Sequence, residues 1–346
     1  MASERKQKTT SPPASRRWLS IVFKGVLGGV AALGVSATCL GLLAWHDYTR
    51  LGPLPQDTDI VVPHGGYTST LASLQSAKAL PDDWWTEYLF QVAVTLTRKD
   101  GQLHAAELRF PAQASMQQIL WVLRHGKPVM HKLTIPEGLS AHQIQALVDH
   151  APFLTGPTPL PTEGQVLPQT YSYQRNTQRA ALLDRMQADM ASTLDTIWKN
   201  RDSTEGLTDP QSLLVLASLI EKETANPAER PLVARVFLNR LNKGMKLQTD
   251  PTVIYALTHG ENTLDRPLSH ADLQTPSAYN TYFTQGLPPG PICAPGVSSL
   301  TAAAHPATSD ALFFVADGMG GHHFSATLAE HNHNVTLLRK KQQQPQ

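Results

Sequence analysis

Apolar residues follow three regimes along this chain. The first is continuous: residues 25–45, GVLGGVAALGVSATCLGLLAW, carry no charge, and a bilayer-crossing helix needs about 20 such residues. The second is periodic, in short helical and strand-like stretches from 60 to about 200. The third is a helix that is apolar nearly all round, SLLVLASLI, running straight into the paired carboxylates Glu221 and Glu223. A second helix follows it, then a proline-bearing polar region, 247–299, with little periodicity.

The periodic stretches predict a short strand at 60–62, a Gly65-Gly66 turn, helices at 67–80 and 84–97, and a strand at 103–110. A helix at 115–124, an alternating strand at 128–135 and a helix at 141–150 follow, the last with Ile144, Leu147 and Val148 on one face. TGPTPLP at 155–161 reads as the best internal boundary. The pattern at 174–199 predicts an amphipathic helix whose Leu182, Met186, Met190 and Leu194 share a face. Asp209-Pro210 then supplies a cap acceptor and a proline at the first helical position. The helix it starts covers every direction with apolar groups, as buried helices do. The next helix spans 231–243 with Gly244 as its stop, and Asp250 reads as the cap of another at 251–257. A short helix at 299–305, a buried strand at 312–316, a glycine turn at 317–321, a strand from 323 and a helix from 327 to about 341 complete the chain.

Composition changes the picture at the N-terminus. Across 346 residues the net charge is +1, with 41% hydrophobic and 16% charged residues. That suits about two domains with real cores and argues against a nucleic-acid partner. Arg5, Lys6, Lys8, Arg16, Arg17 and Lys24 precede the apolar run with no acidic counterweight beyond Glu4. Trp18 and Trp45 flank it as interfacial anchors, and the positive flank is expected to stay cytoplasmic. The run is too long for a signal-peptide core and continues past the passable cleavage site Val35-Ser36-Ala37. The reading is a cytoplasmic tail at 1–24, a membrane span at 25–45 and a linker at 46–59. Cys39 falls inside the span, so a disulfide with Cys293 is not expected.

Candidate chemistry starts at Glu221. It lies three, four and seven residues after Ser218, Ala217 and Leu214, continuing a mostly apolar stripe. Burial would raise a carboxyl pKa toward that of a general acid. Pattern alone leans to the other reading, a helix end whose Glu and Lys face water. Gln248-Thr249-Asp250 reads either as a hydrogen-bonding rim for a polar ligand or as a helix start. His322, His323, His331 and His333 lack zinc-motif spacing and have no nearby cysteine, so no metal is expected. Asp317 to Gly321, DGMGG, reads as a hairpin turn rather than a phosphate cradle.

ASLIEKETANPAERPLVARVFLNRLNKGMKLQTDPTVIYAL, then SAYNTYFTQGLPPGPICAPG and FFVADGMGGHHFSATLAEHN, resemble the MltG/YceG-like endolytic murein transglycosylases. So does EGQVLPQTYSY at 163–173. The resemblance is dense from about Glu163 to Asn332, and two departures stand out. Gln169 replaces a more usual acidic residue, and HAAELRF at 104–110 lacks that family's glycine-bearing segment. The resemblance implies an α+β architecture: a single transmembrane helix, a small LysM-like α/β glycan-binding subdomain at 60–155, and a mixed YceG-like catalytic domain at 156–340. Residues 341–346 are read as a disordered tail.

The same resemblance implies a lyase that needs no cofactor. It would cut the MurNAc-β-1,4-GlcNAc bond inside peptidoglycan strands and leave 1,6-anhydroMurNAc ends, terminating nascent strands. It implies an inner-membrane, single-pass protein with a periplasmic catalytic domain, and peptidoglycan synthases as partners. The catalytic glutamate corresponds to Glu221. Glu223, Gln248, Thr249, Asp250, Tyr279, Asn280, Tyr282, His323 and Glu330 are the candidates for sugar contact or for orienting it. Two other readings stay open: a non-catalytic peptidoglycan-binding scaffold, and a metal-dependent hydrolase using the C-terminal histidines.

Overall fold

The computed structural model describes residues 14–203 and 206–343, with side chains from Phe23 to Gln342. Arg5, Lys6 and Lys8, the side chains of Arg16, Arg17 and Trp18, and residues 344–346 lie outside the described residues, as do the expectations placed on them. The chain divides into two units, Met1–Val129 and Met130–Gln346.

The first unit begins with α1 (Ala14–Thr49). Within its stretch Phe23–Thr49, an 18-residue window has a mean hydropathy of 2.0, and none of that window is buried in the protein. The helix does not stop at 45 to release a linker. Ala44 and Tyr48 pack on the core of this unit, Leu54 is buried in it, and the Trp85 indole donates to Asp47 at 2.8 Å. Apolar burial and that bond keep the helix going to Thr49. Next come β1 (Thr58–Val61), α2 (Tyr67–Ser76), α3 (Trp84–Leu96), a 3-10 turn at Arg98–Asp100, β2 (Glu107–Phe110) and α4 (Met116–His125). β1 and β2 pair antiparallel from Thr58↔Phe110 to Val61↔Glu107. The expected strand at 103–110 starts only at 107, where β1 can reach it. Leu74, Phe90, Phe110, Ile119 and Leu123 fill the core. Asp83 caps α3, and a Ser115–Gln118 capping box starts α4.

The second unit contains β3 (His131–Thr134), α5 (Ala141–Asp149), β4 (Thr170–Tyr173), α6 (Arg179–Lys199), α7 (Pro210–Glu223), α8 (Arg230–Asn242), α9 (Asp250–Thr258), α10 (His270–Leu273), α11 (Val297–Ala304), β5 (Phe313–Ala316), β6 (His322–Ser325) and α12 (Leu328–Gln343). The expected boundary at 155–161 falls inside this unit. The reason is long-range: β3 pairs with β4 across it, Leu133 opposite Tyr171, and Ile144 and Val148 share a core with Leu182 and Met186. β4 was not anticipated, and it takes residues before 174, so α6 begins at 179.

α7 is the centre of the unit. Asp209 accepts from the Ser212 amide, Pro210 holds the first helical position, and Leu213 to Ile220 are all buried. Each such leucine or isoleucine contributes about 1.5–3 kcal/mol by leaving water. α6, α8, α9 and α11 pack around it. The β5–β6 hairpin is half-buried rather than buried, because α12 and Phe237 of α8 reach it while its outer positions stay wet. DGMGG forms its turn, with Asp317 Oδ1 accepting from the Met319 and Gly321 amides. Residues 341–343 are helical, not part of a loose tail.

Candidate active site

The site is assembled at the C-terminal end of α7 from four chain segments. The first clamp is Ser218. Its hydroxyl donates to the Val215 carbonyl and accepts from the Ile292 amide at 3.1 Å. One residue on, the buried Cys293 thiol meets the Ser218 carbonyl. This pins the loop at 292–296 to the helix one turn before Glu221. The Pro136-Glu137-Gly138 turn joins the same loop: the Gly138 amide donates to Ala294 O and the Ala294 amide to Leu139 O. The Lys222 ammonium donates to the Gly138 carbonyl at 3.2 Å.

Glu221 lies inside this frame with only 5% of its side chain exposed. Arg230 Nη2 stands 3.0 Å from its Oε1, and the Gly296 amide donates to Oε2 at 2.9 Å. Gly296 is the N-cap of α11, so the carboxylate faces the positive end of a helix. The reading of a solvated helix end is therefore corrected for Glu221, while Lys222 is exposed. The carboxylate is buried, but a cation and an amide hold it rather than an apolar wall.

Arg230 is 6% exposed and also stands 3.6 Å from Glu137 Oε2. Partial burial raises the Glu137 pKa first, the Glu221 charge raises it further, and Arg230 pulls the other way. A Cβ at position 296 would overlap the Glu137 side chain, which would have to turn away from its present place beside Arg230. Sequence reasoning missed Glu137 and Arg230. Each left a signal: an acidic residue that a Pro-Gly turn does not require, and an arginine in the first turn of α8, where the helix dipole disfavours a cation.

Glu223 forms a second station. Thr249 Oγ1 donates to its Oε2 at 2.7 Å. Burial raises its pKa above the usual range, the Thr249 bond opposes this, and Asp250 adds to it. Thr249 is buried and its amide donates to Thr281 Oγ1. Gln248 is exposed in the left-handed region at φ +52°, a backbone state held by its surroundings. Asp250 does not cap α9; Thr249 is at the cap position, and Asp250 accepts from the Tyr282 hydroxyl at 2.7 Å instead. Burial and that bond push the Tyr282 pKa up. The Tyr279 ring packs at a tilt against Tyr255, with centroids 4.8 Å apart.

Two further candidates bond to the backbone, and a third lies in a separate hollow. Asn280 is fully buried and donates to the Leu273 and Thr275 carbonyls, bracing its loop. Glu330 accepts from the Ala326 and Thr327 amides at the start of α12. His323 lies on the opposite face of β6 from His322, in a hollow lined by Leu337, Leu338 and Lys341. His322 instead pairs with Glu229, Nδ1 to Oε2 at 2.8 Å. His331 stacks on Phe313. Among the described residues, no cluster of histidine, cysteine, aspartate or glutamate is arranged to hold a metal ion. Gln169 donates to Asp189 at 3.0 Å, a bond that an acidic residue there could not make when ionised.

A hollow of about 300 Å³ opens beside this end of α7. Gly138, Lys222, Ile254, Tyr255, Asn262 and Ile292 are among its walls. Behind it, Glu163 accepts from the Ala141 amide and the Tyr255 hydroxyl, and burial raises its pKa. Gly164, at φ +74°, lets this segment close on Pro291, where a side chain would collide.

Fold and site together define a mixed α+β protein with one N-terminal apolar helix and a buried, arginine-paired carboxylate at the end of its central helix. The sequence matches the YceG-like family over residues 60–337, and the chain belongs to that family. It is 35% identical over 249 residues to a Bacillus subtilis protein named endolytic murein transglycosylase, covering 71% of this chain and 64% of the relative. A Streptococcus pneumoniae protein of the same name is 36% identical over 179 residues, covering 50% of this chain and 31% of its own length. The chain thus spans less than two thirds of each of these relatives. A crystal structure of a yceG-like protein from Listeria monocytogenes is similar at 29% identity and a TM-score of 0.49, over 80% of this chain and 98% of that one.

Proposed function

We propose that this chain is an endolytic murein transglycosylase that cuts the MurNAc-β-1,4-GlcNAc bond within glycan strands and leaves 1,6-anhydroMurNAc ends. The observation that carries the reading is Glu221: a carboxylate buried at the end of a rigid helix and oriented through both oxygens. Family membership and the names of the relatives support it.

In this reading Glu221 must take up a proton against its Arg230 and Gly296 partners, and it gives that proton to the glycosidic oxygen as the C1–O4 bond breaks. The same carboxylate then takes the proton of the muramyl 6-hydroxyl as O6 bonds to C1. The carboxyl ends as it began, and no water is consumed. Arg230 keeps an anionic neighbour throughout, because Glu137 stands beside it when Glu221 carries the proton. We assign Glu223, Gln248, Thr249, Asp250, Tyr279 and Tyr282 to sugar contact or to orienting it, a reading supported by the Thr249–Glu223 and Tyr282–Asp250 hydrogen bonds.

We assign residues 25–45 as an inner-membrane anchor with a cytoplasmic N-terminus, and residues 156–340 as the catalytic part. The order β1–α2–α3–β2, two helices between paired strands, supports a LysM-like glycan module within 60–155. Strand termination and contact with peptidoglycan synthases belong to the same reading. The test is Glu221→Gln in the full chain, incubated with peptidoglycan strands and followed by mass spectrometry. Loss of anhydro-muropeptide release is expected; undiminished release overturns the role of Glu221. Reducing ends from the wild type would make the chemistry hydrolytic, with Glu137 as the second carboxylate such a reaction needs.

A further inference from the structure

The outer surface of α3 is not explained by the chemistry at α7. Trp84, Tyr88 and Leu96 are 76%, 58% and 73% exposed. With the half-exposed Val92 they recur at four-residue intervals, one stripe along a helix. Arg98 and Lys99, both exposed, follow directly. A hollow of about 450 Å³ beside the stripe is lined by Tyr67, Leu71, Trp84, Glu87 and Tyr88.

What this stripe faces follows from its junction with α1. The Trp85 indole donates to Asp47, and the Trp85 ring lies 5.9 Å from Trp84 and 6.3 Å from Tyr88. Arg124 of α4, the helix that α1 packs against, donates to Thr97 and Gly101 beyond the other end of α3. α3 therefore lies across the exit of α1, and the partly buried Ala44 and Tyr48 pack the joint against the core. The uncharged run at 25–45 is about 31 Å long at 1.5 Å per residue, close to the roughly 30 Å hydrocarbon core of a bilayer. Asp47 then sits about 3 Å outside that core, inside the headgroup layer.

We propose that α3 is a membrane-interface helix: Trp84, Tyr88 and Leu96 rest in the headgroup layer around α1, and Arg98 and Lys99 meet anionic lipid headgroups. Amphipathic aromatic rings favour that depth, and basic groups beside them add attraction to an anionic surface. The inference rests on α1 crossing the membrane. A glycan strand is the competing occupant of the aromatic hollow. The hydrogen bond to Asp47 favours lipid, because it ties the rings to the height at which α1 leaves the bilayer.

The experiment uses the full chain with Cys39→Ser, reconstituted into vesicles of phosphatidylethanolamine and phosphatidylglycerol. Tyr88→Cys, Leu96→Cys, Leu33→Cys and Lys243→Cys each carry an environment-sensitive fluorophore; Cys293 is buried and stays unlabelled. Labels at 88 and 96 are expected to be quenched by spin-labelled lipids, with a several-fold loss of iodide quenching relative to 243. Iodide access at 88 and 96 equal to that at 243 overturns the proposal. So does access at 88 that disappears only when peptidoglycan strands are added, which would assign the hollow to glycan. The label at Leu33 separates the two readings. Lipid quenching at 33 without quenching at 88 and 96 leaves the anchor standing and removes the interface helix. No quenching at 33 removes both.

Discussion

Arg230 Nη2 stands 3.0 Å from Glu221 Oε1, with both side chains almost fully withdrawn from water. Removing one partner of such a pair strands the other charge, at a cost of about 3–5 kcal/mol. Arg230→Ala should therefore lower the thermal midpoint of the detergent-solubilised chain sharply. Arg230→Met combined with Glu221→Gln should recover much of the loss, since no lone charge remains. Additive losses in the double variant would show that the two side chains are energetically independent.

Gly296→Ala tests the closest approach in the site. The added Cβ overlaps the Glu137 carboxylate, and overpacking of this kind costs about 1–3 kcal/mol. The Gly296 amide would shift with it, so strand cleavage should fall as well. Gly296→Ala with Glu137→Ala should regain stability, read as the denaturant midpoint. A single variant as stable as the wild type would mean that the loops separate at no cost.

The pH dependence of stability should carry two opposed contributions. Glu223 has a raised pKa in the folded state, mainly through burial. Its contribution is fully present below the unfolded glutamate value of about 4.3 and is lost as pH rises through the folded value. Glu223→Gln should thus be more stable than the wild type at neutral pH while keeping an acceptor for Thr249. Glu229 behaves oppositely: burial raises its pKa, but its bonds to His322 outweigh that and hold it below the usual range. Its contribution is present above the unfolded value and is lost as pH falls through the lowered one. Glu229→Gln should flatten the acid limb of the midpoint-against-pH curve and leave the neutral limb sloped.

Thr249→Val removes the hydroxyl that donates to Glu223. A buried carboxylate left without that bond costs about 1–3 kcal/mol. Thr249→Ser should retain most of the wild-type stability and activity. Equal losses in the Val and Ser variants would point to packing of the methyl group rather than to the hydrogen bond.

Local signals carried far in this chain. Asp209 and Pro210 set the start of α7, its all-round apolar surface foretold burial, and the Glu221–Thr224 motif pointed to the site. Partners distant in sequence were not readable. Glu137 reaches Arg230 from a turn held to the loop at Ala294, far on in the chain, and a four-residue strand reading Thr-Tyr-Ser-Tyr is too short to announce itself. Asp250 shows the limit of local rules: its position fits a helix cap, yet Tyr282, from a loop more than thirty residues on, claims its carboxylate. Asn280 and Glu330 were plausible ligand groups by type. Backbone groups that needed satisfying took them first.

α7 buries every position from Leu213 to Ile220, so Glu221 has no freedom to change its bearing. Deleting one residue within that span would rotate the carboxylate by about 100° and draw it back by about 1.5 Å. Arg230 and Gly296 would then face a lysine. Length variation among natural relatives should accordingly be absent from 213–220 and tolerated in the exposed loop at 261–269. The helix works as a reading frame, in which any single-residue insertion or deletion scrambles the reaction while leaving its residues present.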